Sequence, residues 1–181
     1  MTVHRAYSGI GSNLGERERT LDDAFAALDR VRNTRVAARS SVYVSAPIAP
    51  TGDQDDYYNA VAALDTALEP EALLLALQAI ESGAGRTRQP GVRNTARTLD
   101  LDLLLYDDAR IDQPGLTVPH PRLAQRAFVL LPLSEIAPDL HIAGLGPVSA
   151  LLARVADQRI ARLPARPRAS GERTVSPPRG H

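Results

Sequence analysis

From Val3 to Ile10 apolar positions alternate loosely with polar and small ones, a two-residue period that predicts a first strand, closed by a Gly11-Ser12-Asn13 turn. The period then lengthens. Leu21, Phe25 and Leu28 recur at helical spacing, with Asp22, Asp23 and Asp29 off that stripe, and predict a helix from about Glu16 to Val31. Val36 to Val44 reads as a second strand that ends before Pro47, and the run from Pro47 to Asp56, rich in Pro, Gly and Asp, reads as a loop. Tyr57 to Leu64 is a third predicted strand. Glu69-Pro70-Glu71 opens a helix with proline in its first turn and acids near its positive end. Leu73, Leu74, Leu77 and Ile80 form its apolar stripe, and Gly83 to Gly85 end it.

The stretch Arg86 to Arg97 has no apolar period and is expected to be a long exposed loop. Thr98 to Tyr106 is the clearest strand: Leu99, Leu101, Leu103 and Leu105 alternate, so they are expected to enter the core together. A hairpin-like return follows through Ile111 to Val118. Arg122 to Ile136 reads as a helix kinked or split by Pro132, Val148 to Val155 as a short helix, and Arg159 to Leu163 as an edge strand. From Pro164 onward Pro, Arg, Ser and Gly dominate, which predicts one domain over 1–163 and a disordered tail over 164–181. Irregular alternation of strands and helices, with two strand pairs linked as hairpins, predicts an α+β fold with helices packed on a mostly antiparallel sheet.

Composition narrows the function classes. A chain of 181 residues with 44% apolar content has enough material for one unstapled core. It has no cysteine, which excludes disulfides, thiolate metal sites and thiol nucleophiles and suits a cytoplasmic setting. No segment has the roughly 20 apolar residues of a membrane span, and MTVHRAYSGIGSN lacks the apolar run of a secretory signal. A formal net charge of zero argues against general nucleic-acid affinity. The distribution of charge says more, because four arginines and no acid lie between Ser82 and Leu99.

Asp100 and Asp102, two apart on a strand, project from one face, opposite the neighbouring leucines. Their mutual repulsion is relieved if a cation sits between them, and hard carboxylate oxygens suit magnesium with substrate phosphates. An arbitrary pair of this kind is usually a solvated strand face, but Arg86, Arg88, Arg93 and Arg97 lie beside this one. Guanidinium forks bind phosphate oxygens, and Arg97 stands only three residues before Asp100, so cations and metal ligands share a neighbourhood. Phosphoryl chemistry uses that combination. The arginine loop carries no interleaved aromatic residue of the kind single-strand binding uses. Tyr57 and Asn59 also share a face, and a ring beside an amide suits a flat heterocycle. Phe128 is a candidate second wall, though from sequence alone ordinary core packing is the favoured reading of it. His120 follows Val118-Pro119 at a strand end and gains interest from its closeness to the aspartate strand. Gly11-Ser12-Asn13 lacks the lysine and length of a phosphate-binding loop and is expected to be a structural turn.

Together these segments resemble the 6-hydroxymethyl-7,8-dihydropterin pyrophosphokinase family. The resemblance is carried by G-S-N-L at Gly11 to Leu14, A-P at Ala46-Pro47, Y-x-N-A at Tyr57 to Ala60 and Q-x-I-E at Gln78 to Glu81. It continues with G-R-x-R at Gly85 to Arg88, R-T-L-D-L-D-L at Arg97 to Leu103, L-T-V-P-H-P-R at Leu116 to Arg122 and R-x-F at Arg126 to Phe128. It implies a ferredoxin-like core and transfer of an intact pyrophosphate from ATP to the pterin's hydroxymethyl group, releasing AMP. Asp100 and Asp102 would hold two magnesium ions bridging ATP and the hydroxymethyl oxygen, and Arg86 and Arg97 would stabilise the moving group. Gln78, Glu81, Arg88, His120 and Arg126 would bind ATP, with Leu103 and Thr117 along its adenine and ribose side. Tyr57 and Phe128 would sandwich the pterin, while Asn59 and the backbone at Ala46, Pro47 and Ala49 would read its edge. The expected partners are these two small molecules, with no nucleic acid and no membrane, and the expected state is a monomer. Asn94-Thr95-Ala96 stands where most relatives carry W-G-P or N-G-P. Two other readings remain: a non-catalytic nucleotide- or nucleic-acid-binding paralogue, and an ordinary kinase that yields ADP.

Overall fold

The computed structural model describes residues 1–46, 55–84 and 99–165. The predicted loops around Pro47 to Asp56 and Arg86 to Arg97 fall mostly, and the predicted tail almost wholly, outside the described residues. With them go Pro47, Ala49, Arg86, Arg88 and Arg97.

The centre of the fold is β1 (His4–Ser12), which pairs antiparallel with β4 (Tyr57–Thr66) on one side and β5 (Asp100–Tyr106) on the other. β2 (Thr34–Arg39) and β3 (Tyr43–Ser45) both pair with β4, and β10 (Ile160–Arg162) adds to β3, again antiparallel. The sheet has six strands. One face packs on α1 (Arg17–Asp29) and α2 (Pro70–Gly83) through Leu21, Phe25, Leu28, Leu73 and Leu77. The other packs on α3 (Ala127–Ile136) and α4 (Val148–Ala153) through Leu130, Leu133 and Leu151. Each fully buried leucine contributes roughly 1.5–3 kcal/mol. Two hairpins lie off the sheet, β6 (Ile111–Gln113) with β7 (Leu116–Val118), and β8 (His141–Ile142) with β9 (Gly146–Pro147). Among the described residues no helix is long and apolar enough to cross a membrane.

Four expectations need correction. Gly11 and Ser12 belong to β1, where they pair with Asn59 and Tyr58, and the turn comes later at Gly15, whose φ is +64°. The strand expected over Val36 to Val44 is two strands. Between them Ser40 accepts the Val61 N–H on its hydroxyl at 2.9 Å while its own N–H donates to Val61 O, so a side chain replaces a ladder bond. Pro132 does not break α3. It is buried in a helix whose neighbours Val129, Leu130 and Leu133 are held against the sheet, and that packing outweighs one lost bond. The break falls earlier, at Arg126, extended between a 3₁₀ turn (Leu123–Gln125) and α3.

The fourth concerns β5. Its register with β1 slips between Tyr7 and Ser8, which face Leu105 and Leu103, so Leu104 is a bulge. The bulge inverts the alternation. Leu101 and Leu103 enter the core beneath α1 and α2, but Leu105 joins Leu104 and Tyr7 beneath α3, and Tyr106 returns to the first core.

The edge of the sheet is pinned by Glu135 of α3. Its carboxylate accepts the Ser41 N–H at 3.0 Å, the Ser41 hydroxyl at 2.8 Å and the Tyr43 hydroxyl at 2.5 Å, with Arg162 at 3.8 Å. Burial acts to raise the Glu135 pKa, but the Tyr43 and Ser41 hydrogen bonds and Arg162 outweigh it and hold the pKa below the ordinary value. Burial and Glu135 push Tyr43 up to about 12. Because the folded pKa of Glu135 is depressed, its stabilisation is present above the unfolded value and is lost as pH falls through the folded one. Thermal melts of Glu135→Gln should therefore show a shallower loss of stability than the parent between about pH 5 and pH 3. Parallel slopes would remove the clamp from the account.

Candidate active site

β1, β4 and β5 present one face toward the N-terminus of α3. Alternation places Gly9 and Gly11, Tyr57 and Asn59, and Asp100 and Asp102 on that face, with Gly11 opposite both Asn59 and Asp100 and Gly9 opposite Asp102. The glycines leave the floor open. A methyl group on Gly11 would lie 3.6 Å from Asn59 Oδ1, and one on Gly9 would touch Leu104 at 3.5 Å. Above the floor is a cavity of about 290 Å3, walled by Tyr57, Phe128 and Val129 and edged by Ser45, Ala46, Asn59 and Arg126. Such a volume suits one small ring system with a few placed polar groups.

A second cavity of about 650 Å3 opens between α2, β5 and β7. Gln78, Glu81, Leu103, Thr117 and His120 line it, together with Leu74 and Ser82. Asp102 lines both cavities, and Asp100 the first. Asp102 therefore stands where a ligand in one cavity would meet a ligand in the other, with Asp100 beside it on the first.

The bulge positions the histidine. The Leu104 carbonyl accepts the His120 N–H at 2.9 Å, which ties the segment after β7 to β5 two residues from Asp102. His120 Nε2 then stands 4.0 Å from Asp102 Oδ2. Its Nδ1 accepts the Arg122 N–H at 3.1 Å, so in the neutral ring the proton sits on Nε2. Burial lowers the His120 pKa, Arg126 and Arg122 act in the same direction, and Asp102 opposes them. The ring is thus neutral at neutral pH, an N–H donor aimed at the carboxylate side.

Arg126 leaves the chain at the start of α3 and lies over the Phe128 ring, 5.4 Å from its centroid. Burial lowers its pKa, against which Asp102 and Asp100 act, and it remains a cation facing the aspartates. The resemblance groups Arg126 with the ATP residues, yet the structure puts it on the first cavity, beside Phe128. Its backbone is held from outside the site. Gln158 Oε1 accepts the Ala127 N–H at 2.9 Å, and Gln158 Nε2 donates to Gln125 O at 2.8 Å, bracketing Arg126.

Ser45, Gly9 and Gln158 escape the sequence reading. Ser45 adjoins the Ala46-Pro47 motif, and parity with Tyr43 on β3 is its only signal. Gln158 has none, because its bonds cross 31 and 33 residues of chain.

Asp100 and Asp102 form a hard-oxygen pair on one face, with Asp102 half exposed. No group of three or more potential ligands exists among the described residues. A pair of carboxylates suits magnesium, which takes one or two protein carboxylates and fills its shell with water and phosphate.

If Gln158 holds Arg126 and Phe128 in place, Gln158→Ala should weaken binding of a flat heterocycle about 3- to 10-fold through one lost bracket. Gln158→Glu, which keeps only the acceptor for Ala127 N–H, should fall between. Fluorescence titration measures this, and parental affinity in Gln158→Ala would contradict it.

Comparison with known proteins agrees with this geometry. Residues 7–138 match the family described as 7,8-dihydro-6-hydroxymethylpterin-pyrophosphokinase (HPPK). The chain is 45% identical over 162 residues to 2-amino-4-hydroxy-6-hydroxymethyldihydropteridine pyrophosphokinase of Pseudomonas aeruginosa, covering 90% of this chain and 98% of that one. It is 42% identical over 158 residues to the same enzyme of Haemophilus influenzae, covering 87% and 97%. The Pseudomonas putida enzyme is 54% identical over 120 residues, 66% of this chain and 96% of that one. Among solved structures the fold is similar to an HPPK-DHPS crystallised with substrates, with a TM-score of 0.69 at 11% identity, covering 87% of this chain and 44% of that longer one. It is also similar to Plasmodium falciparum HPPK-DHPS, with a TM-score of 0.65 at 12% identity over 85% of this chain and 44% of that one. A family match over most of the chain and close relatives spanned nearly end to end lead to one conclusion: the chain belongs to the 7,8-dihydro-6-hydroxymethylpterin-pyrophosphokinase family.

Proposed function

We propose that the two cavities are the pterin and ATP sites of a pyrophosphokinase, and that Asp102 marks their meeting point. The hydroxymethyl oxygen of 6-hydroxymethyl-7,8-dihydropterin attacks the β-phosphorus of ATP. The bond from that phosphorus to the oxygen bridging it to the α-phosphorus breaks, AMP leaves, and the hydroxyl proton passes to solvent. The single observation that carries this reading is that one carboxylate lines both cavities.

Tyr57 and Phe128 would enclose the pterin ring, and Asn59 would read its edge beside Ser45 and Ala46. In the second cavity Gln78, Glu81, Leu103 and Thr117 would take the nucleoside part of ATP. His120, with its proton on Nε2, would donate to a phosphate oxygen. Arg126 would face the phosphates from the pterin side, where the transferring group passes. Asp100 and Asp102 would hold magnesium, which when bound neutralises phosphate charge and lowers the pKa of the attacking hydroxyl. No described side chain stands as a general base, and alignment of the reactants supplies much of the rate. For Arg86, Arg88 and Arg97 the support is the sequence alone, with Arg97 adjoining the aspartate strand.

Incubation with ATP, magnesium and the pterin, followed by nucleotide analysis, should yield AMP and the pterin diphosphate in equal amounts. ADP would mean transfer of one phosphate, and nucleotide binding without turnover would favour the non-catalytic reading.

Asp102→Asn keeps the side-chain shape and removes the charge shared by both cavities. Its rate should fall at least about 100-fold, the scale of losing one group that stabilises developing charge. The melting temperature without metal should stay close to that of the parent, since half-exposed ion pairs contribute only about 0–1 kcal/mol. Near-parental turnover would defeat the assignment.

A further inference from the structure

Tyr57, a wall of the first cavity, is the opening residue of β4. β1 ends at Ser12, opposite Tyr58, so among the described residues the ladder holds Tyr57 on the β3 side alone, through Ser45. Beyond the end of β1 the chain turns at Gly15, whose φ of +64° suits glycine, and starts α1 at Arg17. The Arg17 side chain reaches back to β4. Its Nη1 donates to the Asp56 carbonyl at 2.6 Å, and its guanidinium lies over the Tyr58 ring, 4.3 Å from the centroid. Alternation turns Tyr58 away from the cavity and toward the α1/α2 core, and Arg17 lines neither cavity. One guanidinium thus grips the residue before Tyr57 and the residue after it.

We infer that Arg17 is a positioning residue acting from outside the site: by clasping Asp56 and Tyr58 it fixes the backbone about Tyr57, and so the direction in which the Tyr57 ring enters the first cavity. This rests on the assignment of the pterin to that cavity. The rotamers open to a side chain follow its backbone angles, and a strand's first residue, laddered on one side, is where those angles are least constrained. The carbonyl is held by a charged donor, which binds more strongly than a neutral one, and the stack on Tyr58 uses the planar face of the same group. The two contacts flank one residue, so losing either lets the chain turn about the other. Without the clasp the Tyr57 ring samples directions that do not cover a flat heterocycle, and binding must then order it. The loss falls on the heterocycle and not on the nucleotide, whose cavity neither Arg17 nor Tyr57 lines.

The test is a double-mutant cycle on the full chain with magnesium and a non-hydrolysable ATP analogue, titrated with 6-hydroxymethylpterin. Its members are the parent, Arg17→Ala, Tyr57→Ala and the double variant. Arg17→Ala should bind the pterin about 3- to 10-fold more weakly, with affinity for the ATP analogue within about 2-fold of the parent's. Its KM for the pterin should rise while kcat stays within about 2-fold, the mark of lost ground-state binding. In the Tyr57→Ala background the same substitution should change pterin affinity by less than about 2-fold, because the ring it positions is gone. Arg17→Lys keeps the charge and a donor but not the planar stack, and should fall between the parent and Arg17→Ala. Should Arg17→Ala not fold, Arg17→Lys takes its place in the cycle. Parental pterin affinity in the Arg17 variant, or an equal loss with and without the Tyr57 ring, overturns the inference and leaves the activity standing. Parental pterin affinity in Tyr57→Ala removes the pterin from the first cavity, and this inference with it.

Discussion

The site depends on a single irregularity in the pairing of β1 with β5. Up to Leu103 the strand alternates leucine and aspartate, one set buried and the other facing the cavities. An uninterrupted ladder would carry Leu105 into the α1/α2 core and leave the α3 face one leucine poorer. The bulge at Leu104 shifts the parity, so both cores are filled from one short strand. It also frees a carbonyl from the ladder, and that carbonyl holds His120. A unit of chain inserted to satisfy packing thus also sets the distance between histidine and carboxylate.

The sheet's two faces are used unequally. The α1/α2 face is filled by leucine, phenylalanine and alanine. On the other face, α3 and α4 cover only part of the sheet, and where α3 begins, the glycines of β1 leave a recess instead of a core. The helix start is consequently both a structural boundary and a cavity wall, with Arg126 and Phe128 one on each side of its first residue.

Much of this was legible in the sequence, and for identifiable reasons. The Asp100 to Leu103 alternation, the Tyr57 and Asn59 pair and the Pro70 helix start are local patterns, and local patterns survive folding when no long-range contact competes. The errors share a cause. Leu105 changes face because of its neighbour strand, Ser40 ends a strand by offering its hydroxyl to Val61, and Pro132 is tolerated because the sheet holds its helix. Each is a tertiary decision with no trace in nearby residues. Ser45 and Gln158 were invisible for the same reason, since their partners lie 14 and 31–33 residues away. Family resemblance, by contrast, carried ligand assignments that periodicity alone left open.

The bracket around Arg126 has a consequence for how the protein is made. Translation proceeds from the N-terminus, so the N-terminal strands are available for pairing first. The aspartate strand, the histidine and both glycines are all synthesised before Gln158 and β10. A nascent chain on the ribosome can therefore complete its central strands while the wall formed by Arg126 and Phe128 still lacks its brace.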